Sequence, residues 1–265
     1  MSVERPGIVH LELGTKVDGK WSVIEKLGEG TFGAVYKVKM DNGTDEFALK
    51  TEHIQQKYLL LEMKNCCLME DKGRVDPYNY VVMKLVGQSL QDAKKTGPNQ
   101  HLSIGCALSV SIQCLEGLKE LHATGFMHRD IKPGNYAVGL PEKNELRREH
   151  ARKEDLESWL YMVIDFCTAA LPWKVTTNMT EIGEMKEKCR QTPLLEQMMT
   201  GVPLPVLQIL GHIDGLGCMD IPNYEWIVDT LNKTIKDGKH EVFPYDWEKV
   251  AIATEIKAKS PSPNE

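Results

Sequence analysis

Residues 128–135 read HRDIKPGN. The octet gathers one carboxylate, two cations and one amide on a short loop, and each has a use in phosphoryl transfer. Asp130 can accept the proton of a substrate hydroxyl. Lys132, two residues on, can offset charge on a transferred phosphate. Asn135 can ligate magnesium through its amide oxygen. His128 and Arg129 are better suited to holding the loop than to reacting. A lone His-Arg-Asp would read as a surface turn. The whole octet, following a helix that ends in LHATGF (residues 121–126), is not a chance string.

Upstream lies a glycine-rich stretch, GEGTFGAV, residues 28–35. Its GxGxxG spacing also occurs in dinucleotide-binding loops, where it opens a helix. Here Gly33 runs into the alternating segment AVYKVKM (34–40), so the pattern is strand, turn, strand. Small residues would let backbone N–H groups approach phosphate oxygens. Lys50 ends FALK on the strand after the hairpin and could neutralise phosphate charge. Glu62, in a short helix expected over 54–63, could hold its ammonium. A lysine or glutamate by itself is usually a solvated side chain, so the weight rests on the set.

The rest of the chain falls into a strand-rich front and a helix-rich back. Residues 21–50 alternate with period two around the turn Asp41–Gly43, and YNYVVMKLVG (78–87) reads as a buried strand. Ser103 can cap a helix carrying Leu108, Ile112, Leu115, Leu118 and Leu121. Leu156, Trp159, Leu160 and Val163 share one helical face, and further helices are expected near 180–190 and 223–236. The tail KAKSPSPNE (257–265) is polar and expected to be disordered. The fold class is α+β and two-lobed, with a hinge near residues 84–90.

Bulk composition sets outer limits. The 265 residues are 42% apolar with a net charge of −6, which is not the basic balance of a nucleic-acid binder. The seven cysteines include no CxxC pair, which argues against structural zinc and for a reducing interior. No apolar leader opens the chain, and its longest apolar stretch is broken by Asp165 and Pro172. The expectation is a soluble cytoplasmic or nuclear monomer whose partners are proteins, not membranes or nucleic acid.

The chain resembles the eukaryotic protein kinases and, more narrowly, the casein kinase 1 group of serine/threonine kinases. The resemblance is carried by NYVVMKLVGQSL, CLEGLKELHATGFMHRDIKPGNYAVG, RKEDLESWLYMVIDF, LPWK and GEMKEK, within about residues 18–235. It implies a kinase-like fold: an extension over 1–17, a β-rich N-lobe over 18–84, a shortened helical C-lobe over 85–240, and a tail over 241–265. It implies ATP and magnesium as cofactors. Leu27, Gly28, Glu29, Gly30, Thr31, Phe32, Gly33, Val35, Lys50 and Glu62 would line the nucleotide site. Met83 would be the gatekeeper, and the backbone of Lys84, Leu85 and Val86 would meet adenine. Asp130, Lys132 and Asn135 would be catalytic, with Asn135 the metal ligand. Asp155 would hold the backbone of the His-Arg loop.

Two blocks of the family pattern are missing. A strand, an Asp-Phe-Gly and an activation segment should lie between the catalytic asparagine and the next large helix. Only 20 positions separate Asn135 from Asp155 (155 − 135). A smaller gap follows Glu62. The pair Asp165–Phe166 imitates the metal motif, but its helical surroundings make it a decoy. The metal site is therefore expected to be weak, and uncovered apolar strand edges are expected to lower stability. Three readings stand: a kinase with impaired or no transfer, a pseudokinase scaffold that binds nucleotide or partners, and a shortened product of an active kinase gene.

Overall fold

A computed structural model describes residues 8–29, 33–41, 43–54, 69–97, 100–125, 127–138, 152–217 and 219–250. The described residues up to Gly87 form one compact unit, and those from Gln88 onward form a second.

The first unit is an antiparallel sheet of six strands: β1 (Lys16–Val17), β2 (Trp21–Glu29), β3 (Ala34–Met40), β4 (Glu46–His53), β5 (Met69–Val75) and β6 (Tyr78–Lys84). Their spatial order is β1-β2-β3-β4-β6-β5. Alternation sorts side chains to two faces. Val23, Tyr36, Val38, Leu49, Tyr80 and Val82 build the apolar core on one of them. Ile8, Val9 and Leu11 pack partly against this core. The Tyr36 hydroxyl ties them down, donating to the Val9 carbonyl (3.2 Å) and accepting from the Leu11 N–H (3.0 Å). The turn after β3 is closed by the Gly43 N–H on the Met40 carbonyl, while Asn42 lies outside the described residues.

Sequence reading passed over β5, MEDKGRV. It is an edge strand that alternates no apolar face, and its charges are what keep an open edge from pairing with another chain. The expected uncovered apolar edge is thus corrected at this end of the sheet: the outermost strand presents Glu70, Asp71, Lys72 and Arg74. Gly73 is needed because a Cβ there would stand 2.6 Å from the Tyr80 hydroxyl. That hydroxyl passes on to donate to Asp18 (2.8 Å).

The second unit is helical: α1 (Leu90–Ala93), α2 (Ile104–Ala123), α3 (Arg152–Thr168), α4 (Met179–Lys188), α5 (Leu194–Met199), α6 (Pro205–Asp214) and α7 (Tyr224–Asp237). Its centre is α3, which buries most of its length after the first turn, so it is apolar around most of its circumference. Leu156, Trp159, Leu160 and Val163 lie in the core with Leu108, Leu115 and Leu118 of α2, and the Trp159 indole donates to the Ser111 carbonyl (2.9 Å). Ser103 stands at the N-cap of α2 but does not cap it with its side chain. Its hydroxyl and N–H instead both donate to Asp246 (3.0 and 2.6 Å), because a carboxylate is the stronger acceptor. Among the described residues no helix is long and apolar enough to cross a membrane.

Candidate active site

On the first unit, one cross-strand row runs Gly28–Val35–Lys50–Val81, and the neighbouring pair is Ala48–Met83. Directly paired residues share a face. This face is opposite to the one bearing Tyr36, Leu49 and Val82. Register alone therefore gathers Gly28, Val35, Lys50 and Met83 around one ammonium with apolar neighbours. Ala48 joins them by parity and was missed in the sequence, although counting two back from Lys50 would have found it. Lys84 ends β6, and Leu85 and Val86 follow in chain without regular structure. Leu27 and Val86 are 44% and 45% exposed, apolar surface that a flat base could cover. Glu29 is tied to Lys26 (2.5 Å), which holds its carboxyl below the usual range. Gly30, Thr31, Phe32 and Glu62 lie outside the described residues.

The last glycine of the GxGxxG stretch has a specific reason. A Cβ on Gly33 would stand 1.8 Å from the Thr51 carbonyl oxygen, so β3 can begin beside β4 only with a hydrogen there. Gly33 thereby serves strand packing next to Lys50. Around Gly28 a Cβ would meet no described atom within 4 Å, which leaves room for a ligand's approach.

On the second unit, the octet forms a loop closed by a turn of 3-10 helix, Pro133–Asn135. Asp130 Oδ2 accepts from Lys132 Nζ (2.6 Å) and from Asn135 Nδ2 (2.8 Å), and Asn135 Nδ2 also reaches the Asp130 carbonyl (2.7 Å). Partial burial pushes the Asp130 carboxyl up, but the donors from Lys132 and Asn135 outweigh it and hold it below its ordinary value. Lys132 and Asn135 are thus both within hydrogen-bond reach of Asp130. The Asn135 amide nitrogen faces Asp130, so its oxygen is the atom left to meet a cation.

The loop's backbone is unusual and firmly held. Arg129 has φ +63°, a left-handed conformation costly for a residue with a Cβ. Asp155 of α3 accepts the His128 N–H (2.6 Å) on one oxygen and the Arg129 N–H (2.7 Å) on the other. His122 Nε2 stands 3.0 Å from the same carboxylate. Burial raises the Asp155 carboxyl, and the His122 and backbone donors more than reverse this. His128 is lowered by burial and stacks on Tyr136. The chain after the loop is pinned as well: Leu90 N–H donates to Tyr136 O (2.8 Å) and Val138 N–H to Gln88 O (2.9 Å).

Asp165 lies inside α3, its side chain 6% exposed. One oxygen accepts from Lys94 (2.5 Å), whose side chain is 3% exposed, and the other from Lys174. With both oxygens occupied by ammonium groups, it is not placed to ligate a metal. Among the described residues no three carboxylate, imidazole or thiol groups cluster to hold an ion. The residues present fit an adenine nucleotide on the first unit. For magnesium the second unit offers the neutral Asn135 oxygen.

The protein kinase domain family matches residues 21–169, more than half of the chain. The chain belongs to the protein kinase family. It is 27% identical to a probable serine/threonine-protein kinase of Dictyostelium discoideum over 289 residues, using 89% of this chain and 58% of that protein. It is also 27% identical to the serine/threonine-protein kinase spe-6 of Caenorhabditis elegans over 290 residues, using 87% of this chain and 76% of the worm protein. Among solved structures, vaccinia related kinase 3 superposes with a TM-score of 0.72 at 16% identity, covering 89% of this chain and 94% of that one. That likeness supports the kinase fold: a β-rich first unit and a helical second unit.

Proposed function

We propose that the chain is a serine/threonine-directed protein kinase of the casein kinase 1 group by descent, which binds ATP and transfers phosphate poorly. The observation that carries this reading is the Asp130–Lys132–Asn135 arrangement, a carboxylate held ionised beside a cation and an amide. In it Asp130 would accept the hydroxyl proton of a protein substrate, Lys132 would meet negative charge on the group in flight, and Lys50 would meet the nucleotide's phosphates. Magnesium, when bound, would offset charge on those phosphates, with the Asn135 oxygen among its ligands.

Two features support weakness. Asp165 is committed to Lys94 and Lys174, so the one Asp-Phe after the octet is not a substitute ligand. The Dictyostelium alignment exceeds the whole chain by at least 24 positions (289 − 265), so that relative carries residues this chain lacks. The missing stretch would include the segment that aligns a substrate hydroxyl, and positioning is a large share of catalysis. The same features favour a second reading, a scaffold that works by contact.

The test has two parts. Thermal melting with ATP, with and without magnesium, should show a stabilising shift that Lys50→Met abolishes. Incubation with labelled ATP and an acidic protein substrate should show slow transfer that Asp130→Asn removes. Transfer lost on Asp130→Asn sinks the scaffold reading. A nucleotide shift without transfer favours it. No shift at all overturns the kinase reading and any ATP-binding role.

A further inference from the structure

The carboxylate that holds the catalytic loop is itself held, and the holding reaches a helix far along the chain. His122, near the end of α2, has its Nε2 on Asp155 (3.0 Å) and its Nδ1 on the Tyr224 hydroxyl (2.5 Å). The three groups are 1% (His122), 2% (Asp155) and 5% (Tyr224) exposed, so water does not substitute for any of these bonds. An ionised carboxylate only accepts, so the Nε2 atom must carry the proton. A neutral imidazole then has an acceptor at Nδ1, and the phenol must donate to it. Burial pushes the Tyr224 hydroxyl well above its ordinary value, so it keeps the proton it donates. With the imidazole neutral, the phenol donates to His122 and His122 donates to Asp155, with the N–H groups of His128 and Arg129 on the same carboxylate.

Tyr224 is itself placed with care. It is the first residue of α7, whose N-cap Asn223 accepts from the Trp226 N–H (3.0 Å). The next residue, Glu225, accepts from Lys119 of α2 (2.6 Å). The first turn of α7 is therefore fastened to α2 directly beside the phenol.

We propose that Tyr224 is a positioning residue for the catalytic loop: its hydroxyl holds the His122 ring in the orientation that donates to Asp155, and through Asp155 it sets the backbone that aims Asp130. Without the phenol, the buried Nδ1 has no donor and the imidazole ring is held from the Asp155 side alone. Asp155 then relies on a donor free to tilt away from it while still carrying the left-handed Arg129. The proposal rests on the kinase reading for what Asp130 does, and on geometry alone for how the loop is held.

The experiment uses the full chain and needs no turnover. Nitrogen-15 shifts of His122 should report the Nε2–H tautomer in the wild type, and in Tyr224→Phe the Nδ1 shift should move to that of a ring nitrogen without a hydrogen bond. Hydrogen exchange at the amides of His128 and Arg129 should quicken at least tenfold in Tyr224→Phe, with exchange in α6 and in β2–β6 unchanged. Glu225→Gln, which loosens the same turn without touching the imidazole, should leave the loop amides as they are. An Nδ1–H tautomer in the wild type overturns the proposal, even if the variant fails to fold. Equal acceleration throughout the second unit also overturns it, since that is what a purely structural tyrosine would give. If ATP binding and transfer are absent while the loop amides respond, the functional reading fails and the positioning role stands.

Discussion

Asp155 and Asp165 lie on one helix, ten positions apart, both almost fully buried. Their surroundings divide them. Asp155 receives two backbone N–H groups and an imidazole, so its charge is spent on fixing the shape of another segment. Asp165 receives two lysines, so its charge is spent on cancelling theirs. The aspartate followed by phenylalanine is the inert one. What a buried carboxylate does is decided by which donors point at it, and motif spelling does not carry that information.

Removing each carboxylate tests the contrast. Asp155→Ala leaves two buried N–H groups unpaired and Arg129 unsupported in the left-handed region. At roughly 1–3 kcal/mol for each orphaned group, a loss of about 4 kcal/mol is expected in urea unfolding, together with loss of any phosphate transfer. Asp165→Leu strands the buried Lys94 and should cost about 3 kcal/mol. Here, unlike at Asp155, the damage should be largely repaired by adding Lys94→Met, because an apolar pair can replace a buried ion pair of similar volume. The Asp165→Leu/Lys94→Met protein should retain whatever magnesium dependence the nucleotide shift shows in the wild type. Loss of that dependence would restore Asp165 as a metal ligand.

These two aspartates also mark how far the sequence could be read. The two-lobed α+β class was legible because period two gives way to period 3.6 near residue 100, and the register of β3, β4 and β6 then aligned Val35, Lys50 and Met83. The decoy status of Asp165 was legible because its neighbours fall at helical spacing. Its two lysine partners were not, since Lys94 lies 71 positions away and no periodicity links them. His122 could have been noticed in the Leu-His pair just before the octet. Tyr224, 102 positions from its partner, left no local signal. Edge strand β5 was missed because the charges that protect an edge erase the apolar alternation that announces a strand.

Smaller effects sharpen the same distinction between holding and reacting. Gly33→Ala puts a methyl group against the Thr51 carbonyl, and strands β3 and β4 must part beside the row that carries Lys50. A stability loss of about 2 kcal/mol is expected, as for overpacking in general, with a weaker ATP-induced thermal shift. Gly28→Ala, with open space around it, should leave unfolding unchanged; if it destabilises as much as Gly33→Ala, the division of labour between the two glycines is wrong.

Acid should dismantle the loop in stages. Asp155 and Asp130 have carboxyls held below the ordinary 3.8, and His128 has an imidazole lowered from 6.5. In each case the folded state binds its proton less readily than the unfolded chain does. Their stabilisation is therefore complete at high pH and is lost only as pH falls: first below about 6.5, where unfolded His128 begins to protonate, then below about 3.8 for the carboxylates. Unfolding free energy measured from pH 8 to pH 3 should show a shallow decline followed by a steeper one. His128→Gln should remove the upper stage alone, and Asp155→Asn should blunt the lower. A wild-type curve that rises on acidification through 6.5 would mean that His128 gains a proton on folding. Its burial against Tyr136 would then not be what governs it, and the loop would be held chiefly by charge, as Asp165 is.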